Sequence, residues 1–182
     1  MARRFFDFDQ PERFVAGTIG DPGQRTFFLQ ARQGGAVVSV ALEKIQVRAL
    51  ADRLTDLLDA VGDDSPPAAT LAGEPLLDDA PLDEPLVELF RVGLMALAWD
   101  PAGGRVVIEA QPEPEVDEEG GVAEEAGEGP DVLRVHIAPE QAQSFVRRAQ
   151  RLVAAGRPAC PFCGEPLEPT GHFCVQSNGR LN

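Results

Sequence analysis

All three cysteines of the chain and one of its two histidines fall within the stretch Cys160 to Cys174, CPFCGEPLEPTGHFC, at the spacing Cys-x2-Cys-x8-His-x-Cys. Zinc takes four tetrahedral thiolate or imidazole ligands, and a closed set of four marks a structural site, whereas a catalytic site keeps a position for water. Cys160, Cys163, His172 and Cys174 make four. The two residues inside the first pair let the chain fold back into a knuckle, with Gly164 able to take a positive φ. The two-residue period of an extended strand puts His172 and Cys174 on one side, facing that pair. Glu165 to Gly171 between them is turn-rich and reverses the chain. The competing reading is unligated thiols or a disulfide, but three cysteines cannot all pair. Zinc is favoured over an iron-sulfur cluster because the set is closed and includes a histidine. Three thiolates around one Zn2+ leave the site mildly anionic and a poor Lewis acid, so its role is expected to be structural.

A metal staple of this size needs a larger body to hold it. At 182 residues, 43% of them hydrophobic, the chain suits a compact domain with a small appended module. The net charge is −14, which opposes binding to nucleic acid or an anionic membrane surface. Nine acidic residues between Glu113 and Asp131 form a run without a cation, so the rest of the chain is only mildly acidic. No apolar run is long and uncharged enough to span a bilayer. The N-terminal Met1-Ala2-Arg3-Arg4-Phe5-Phe6-Asp7 meets acid too early for a secretory signal. With reduced cysteines, this predicts a cytoplasmic protein.

Along the chain, Phe5 to Phe8 alternates weakly, enough for an edge strand. Arg13 to Ile19 and Thr26 to Arg32 read as a hairpin about Pro22-Gly23, which suits the centre of a type II turn. Phe27, Leu29 and Ala31 share one face of the second strand and Phe28 takes the other. Ala36 to Leu42 is a third strand. From Glu43 the period lengthens, and Val47, Leu50, Leu54, Leu57, Leu58 and Val61 make the stripe of a helix ending at Gly62. Residues 63–85, rich in Pro, Ala and Asp, read as a surface connection with short apolar pieces such as Leu76-Leu77. Phe90 to Trp99 and Arg105 to Ala110 are strands about Pro101-Ala102-Gly103-Gly104. Residues 111–131 are an acidic loop. Val132 to Ile137 is a strand, and a helix starts at Pro139 and closes at Gly156, burying Ala142, Phe145, Val146, Ala149, Leu152 and Val153.

The expected fold class is α+β. Two similar β-β-β-α units, residues 1–62 and 86–156, form antiparallel sheets with two helices, and a zinc-knuckle module follows at 157–182.

The stretch FFDFDQPERFVAGTIGDPGQRTFFLQAR, the terminal CPFCGEPLEPTGHFC and Asn178-Gly179 resemble the actinobacterial domain-of-unknown-function 3090 family over nearly the whole chain. The resemblance implies a cytoplasmic actinobacterial protein and brings no activity or catalytic residues with it. It also implies a loosely associated partner role toward a ParA-like chromosome-partitioning ATPase. In the family pattern Pro-Arg follows the last cysteine, where this chain has Val175-Gln176.

Other chemistry is thin. Gly17 to Gly23 lacks the Lys-Ser/Thr of a phosphate loop and reads as a hairpin turn. His136 lies mid-strand with no nucleophile beside it. The serines lack a nucleophile-elbow context. Glu43 and Lys44 with Asp7 and Asp9 read as a solvated rim in preference to a polar cleft. No catalytic or small-molecule site is expected. The favoured function is a non-enzymatic protein-interaction or regulatory module with structural zinc. The alternative is a nucleic-acid binder using Arg147, Arg148, Arg151, Arg157 and the zinc module, and an enzyme comes third. Binding free energy at such a metal site is local folding free energy. Chelation, followed by amide exchange, should therefore loosen residues 158–182 and leave the main domain folded; global unfolding would show that the module belongs to the core.

Overall fold

The computed structural model describes residues 3–21, 23–64, 78–113, 129–156, 160–163 and Cys174. Seven strands and two helices follow in the order β1 (Phe5–Asp9), β2 (Arg13–Ile19), β3 (Thr26–Gln33), β4 (Ala36–Leu42), α1 (Lys44–Asp64), β5 (Glu88–Asp100), β6 (Arg105–Pro112), β7 (Val132–Ile137) and α2 (Pro139–Ala154). The β2–β3 turn closes by Gln24 N–H donating to Asp21 O at 2.9 Å, with Gly23 at φ 100° as the type II geometry requires. No helix among the described residues is long and apolar enough to cross a membrane.

The strands form one sheet in the order β1-β7-β6-β5-β4-β3-β2. It is mixed, where antiparallel sheets were expected: β4 with β5 and β1 with β7 pair parallel, and the other neighbours pair antiparallel. The first parallel pair follows from α1, which carries the chain back so that β5 starts in the same sense as β4. The helix also runs through Gly62 to Asp64. A single glycine lowers helix propensity by about 1 kcal/mol without having to end the helix.

The edges β1 and β2 are joined by only Gln10, Pro11 and Glu12. A flat seven-stranded sheet would hold its outer strands roughly 29 Å apart at about 4.8 Å per neighbour, whereas the four Cα steps from Asp9 to Arg13 reach about 14 Å at most. The sheet therefore curls. Gln10 turns the corner at φ 56° and donates its N–H to His136 O at 2.9 Å. Gln33 Nε2 ties β3 to Asp9 O at 2.9 Å.

Inside the curl lies one apolar cluster with side chains from every strand, among them Phe8, Phe14, Leu29, Val40, Val92, Ile108 and Val135. Val47, Leu50, Ala51 and Leu54 of α1 and Ala142, Phe145, Val146 and Ala149 of α2 complete it. Phe145 stacks on Phe14 with ring centroids 4.9 Å apart.

The end of the 63–85 connection, from Asp78 on, is a packed strap. From Asp78 it starts beside β2 and crosses the outer face of the sheet. There Leu82 and Leu86 pack on Val15, Phe28 and Ala41, the residues whose alternation points them away from the helices. Gln30 holds its middle: Nε2 donates to Ser39 Oγ and Asp83 O, each at 3.0 Å, and Oε1 accepts the Asp83 N–H at 2.7 Å. Where the strap rounds β2, two buried arginines grip it. Arg13 donates to the Asp78 carboxylate, to Asp83 Oδ2 at 3.0 Å and to Ala80 O at 2.9 Å. Arg148 donates to Ala16 O, to Asp78 and to Ala80 O at 2.8 Å. The Arg13 hydrogen bond holds the Asp78 carboxyl below its ordinary range, against the opposing effect of burial.

Leu82 sits directly over Gly17, where an added Cβ would lie 2.5 Å from its side chain. Gly17→Ala should cost about 1–3 kcal/mol by overpacking, and Leu82→Ala about 2–4 kcal/mol as a cavity. Since each change makes room for the other, the double variant should be more stable than the sum predicts by about 1 kcal/mol or more in denaturant unfolding. Simple additivity would show that the strap does not rest on Gly17.

Candidate metal centre

Helix α2 delivers the chain to the cysteine cluster. Its last turn is fastened by Arg25, whose NH1 donates to Ala155 O at 3.0 Å. A cation at this end also complements the negative pole of the helix. The chain is described again at Cys160, followed by a turn through Pro161, Phe162 and Cys163. Cys160 and Cys174 are buried, Cys163 is half-buried and Phe162 is exposed.

The Sγ atoms of Cys160, Cys163 and Cys174 all lie within 4.8 Å of one another. Cys160 Sγ and Cys174 Sγ are 3.8 Å apart, far beyond the ~2.05 Å of a disulfide. Two thiolates bound to one tetrahedral zinc at about 2.3 Å stand about 3.8 Å apart, so the observed separation suits that geometry. Phe162 N–H points at Cys160 Sγ at 3.5 Å, as the knuckle reading requires.

Burial opposes ionisation of Cys160, but the backbone N–H groups of Cys163 and Phe162 and the thiols of Cys163 and Cys174 outweigh it and pull the Cys160 pKa down to about 6. The downward shift favours the thiolate, the form in which cysteine binds metal. The thiols of Cys160, Cys163 and Cys174 are brought together as the spacing predicts. The fourth expected ligand, His172, and the turn residues 164–171 lie outside the described residues.

The other candidates are scattered. His136 sits on the outer face of β7, with Nε2 3.4 Å from Asp7 Oδ1. Asp9 pairs with Arg105 and Glu43 with Arg91, so no cleft gathers Glu43, Lys44, Asp7 and Asp9. Of the helix arginines, Arg148 is buried and spent on the strap, Arg151 pairs with Asp79, and Arg147 is exposed. Arg157 lies outside the described residues.

The clamp of Arg13, Arg148 and Asp78 was missed. Its signal was the position of Arg148, three residues after Phe145 and beside Ala149, within the buried stripe of α2. The nearby cavity of about 180 Å³, lined by Glu12, Arg13, Gln141, Ser144, Arg148 and others, borders this clamp, and the guanidinium groups there already serve protein acceptors.

No curated protein and no solved structure was found to match the chain. One family does match, over residues 6–174, from the first described strand to the last cysteine of the cluster. The chain belongs to that family, DUF3090, whose description is a protein of unknown function.

Proposed function

We propose that the protein is a non-enzymatic interaction or regulatory module whose C-terminal segment is built on structural zinc. The observation that carries the zinc reading is the convergence of three Sγ atoms within 4.8 Å, two of them spaced as zinc ligands are. His172 completes the set as the fourth ligand. Zn2+ bound here supplies charge to hold three thiolates together and closes a chain segment too short to fold by itself. Thiolates kept in this form suit a reducing compartment, in agreement with a cytoplasmic protein.

The interaction reading rests on what the fold offers. The curled seven-stranded sheet has an exposed outer face on β5, β6, β7 and β1, where Leu94 is 51% exposed. The nucleic-acid alternative relies on the α2 arginines, and the internal bonds of Arg148 and Arg151 leave Arg147 as its main exposed support on that helix.

Protein purified without added metal should carry one zinc per chain by elemental mass spectrometry. Cys160→Ser with Cys163→Ser should lose it, while far-UV circular dichroism of the main domain changes little. Full retention of zinc in that double variant, or wild-type protein with none after reconstitution under reducing conditions, would remove the reading.

A further inference from the structure

The two edges of the sheet are finished differently. The β2 edge is blocked: α2 lies along it, Arg148 Nε donates to Ala16 O, and Leu82 covers Gly17. The β1 edge has no such cover among the described residues.

The register on β7 determines which backbone groups that edge presents. Phe5 lies opposite Val132 and Asp7 opposite Arg134, with Val132 N–H donating to Arg4 O and Gln10 N–H to His136 O, both at 2.9 Å. In a parallel ladder this commits Arg4, Phe6, Phe8 and Gln10 to β7 and turns the N–H and C=O groups of Phe5, Asp7 and Asp9 outward. Of these, the Asp9 carbonyl accepts from Gln33 Nε2. The others form a row of donors and acceptors of the kind that recruits another strand.

The side chains select which strand. Phe6 and Phe8 pack toward the core, while Phe5 is 53% exposed and the Asp7 and Asp9 side chains are 50% and 67% exposed on the outer face. A second copy is a poor occupant, because antiparallel pairing centred on Asp7 sets Asp7 against its own counterpart, and like charges directly opposite destabilise a pair. A strand with Arg or Lys beside Asp7 and Asp9 gains where the copy loses. His136 and Arg105 touch these carboxylates from one side, and each carboxylate retains acceptor sites for a further cation. The net charge of −14 adds attraction for a basic partner.

We infer that the outer edge of β1 is a strand-addition site for an extended basic segment of a partner protein, with cations opposite Asp7 and Asp9 and apolar residues at the alternate positions. The inference rests on the reading of the protein as an interaction module and makes no use of the metal.

The test uses the full chain and a labelled peptide of alternating Arg and Val. One control carries N-methyl groups on the amides that would face β1, and another alternates Glu and Val. Fluorescence anisotropy should show the Arg/Val peptide binding roughly tenfold or more tighter than its N-methylated form, since several ladder hydrogen bonds are lost. Slowed amide exchange at Phe5 and Asp7 should accompany binding. Asp7→Pro removes an outward N–H and spares the ladder to β7, so it should lose the peptide. Asp7→Arg with Asp9→Arg should transfer the preference to the Glu/Val peptide, and keeps the test decisive should the proline variant misfold. Equal binding of the N-methylated peptide, no binding of the Arg/Val peptide, or an unchanged preference in the double arginine variant would overturn the inference. The Cys160→Ser, Cys163→Ser protein should bind the peptide normally, which separates failure of this site from failure of the metal reading.

Discussion

With three residues between its first two strands, and those strands at opposite edges of a seven-stranded sheet, the chain can satisfy its own connectivity only by curling the sheet. Most of the remaining architecture follows from that constraint. A curled sheet encloses its inner face, so two amphipathic helices can bury their stripes against side chains from all seven strands in one core. The same curl brings β2 beside α2, which then shields an edge that would otherwise be exposed.

The strap is the second consequence. From Asp78 the chain passes the β2 edge and crosses the outer face to enter β5 beside β4. At the turning point Arg13 and Arg148 share Asp78 and the Ala80 carbonyl. Two buried guanidinium groups are tolerated there because nearly every donor meets a carboxylate or a backbone oxygen, and burial of charge without such partners costs several kcal/mol, to order of magnitude. The clamp thus joins β2, α2 and the strap, three elements far apart in sequence.

The strands and helices were legible because each carries a strong period: Phe27, Leu29 and Ala31 against Phe28 in β3, and Phe145, Val146 and Ala149 in α2. The cysteine cluster was legible for a different reason, since ligand spacing is a local property of the chain. What the pattern did not carry was relation between distant segments. Nothing local in Gln10-Pro11-Glu12 says that the strands on either side lie at opposite edges. Leu82, one apolar residue amid Pro and Asp, has no period to announce its burial. Arg148 read as a surface cation because its acceptors, Ala16, Asp78 and Ala80, come from elsewhere in the chain.

The functional account stands on the chemistry of Cys160, Cys163 and Cys174. Their proximity and the lowered pKa of Cys160 describe a preformed cluster of sulfur ligands, placed after a helix that is hydrogen-bonded to Ala16 at its middle and to Arg25 at its end. In the proposed reading, metal bound there closes the segment around Cys160 to Cys174 and leaves recognition to other surfaces. X-ray absorption at the zinc edge of the purified protein is the most direct measurement of this claim. The account predicts a shell of three sulfurs at about 2.3 Å with one nitrogen at about 2.0–2.1 Å. A shell dominated by oxygen and nitrogen, with fewer than three sulfurs, would contradict it.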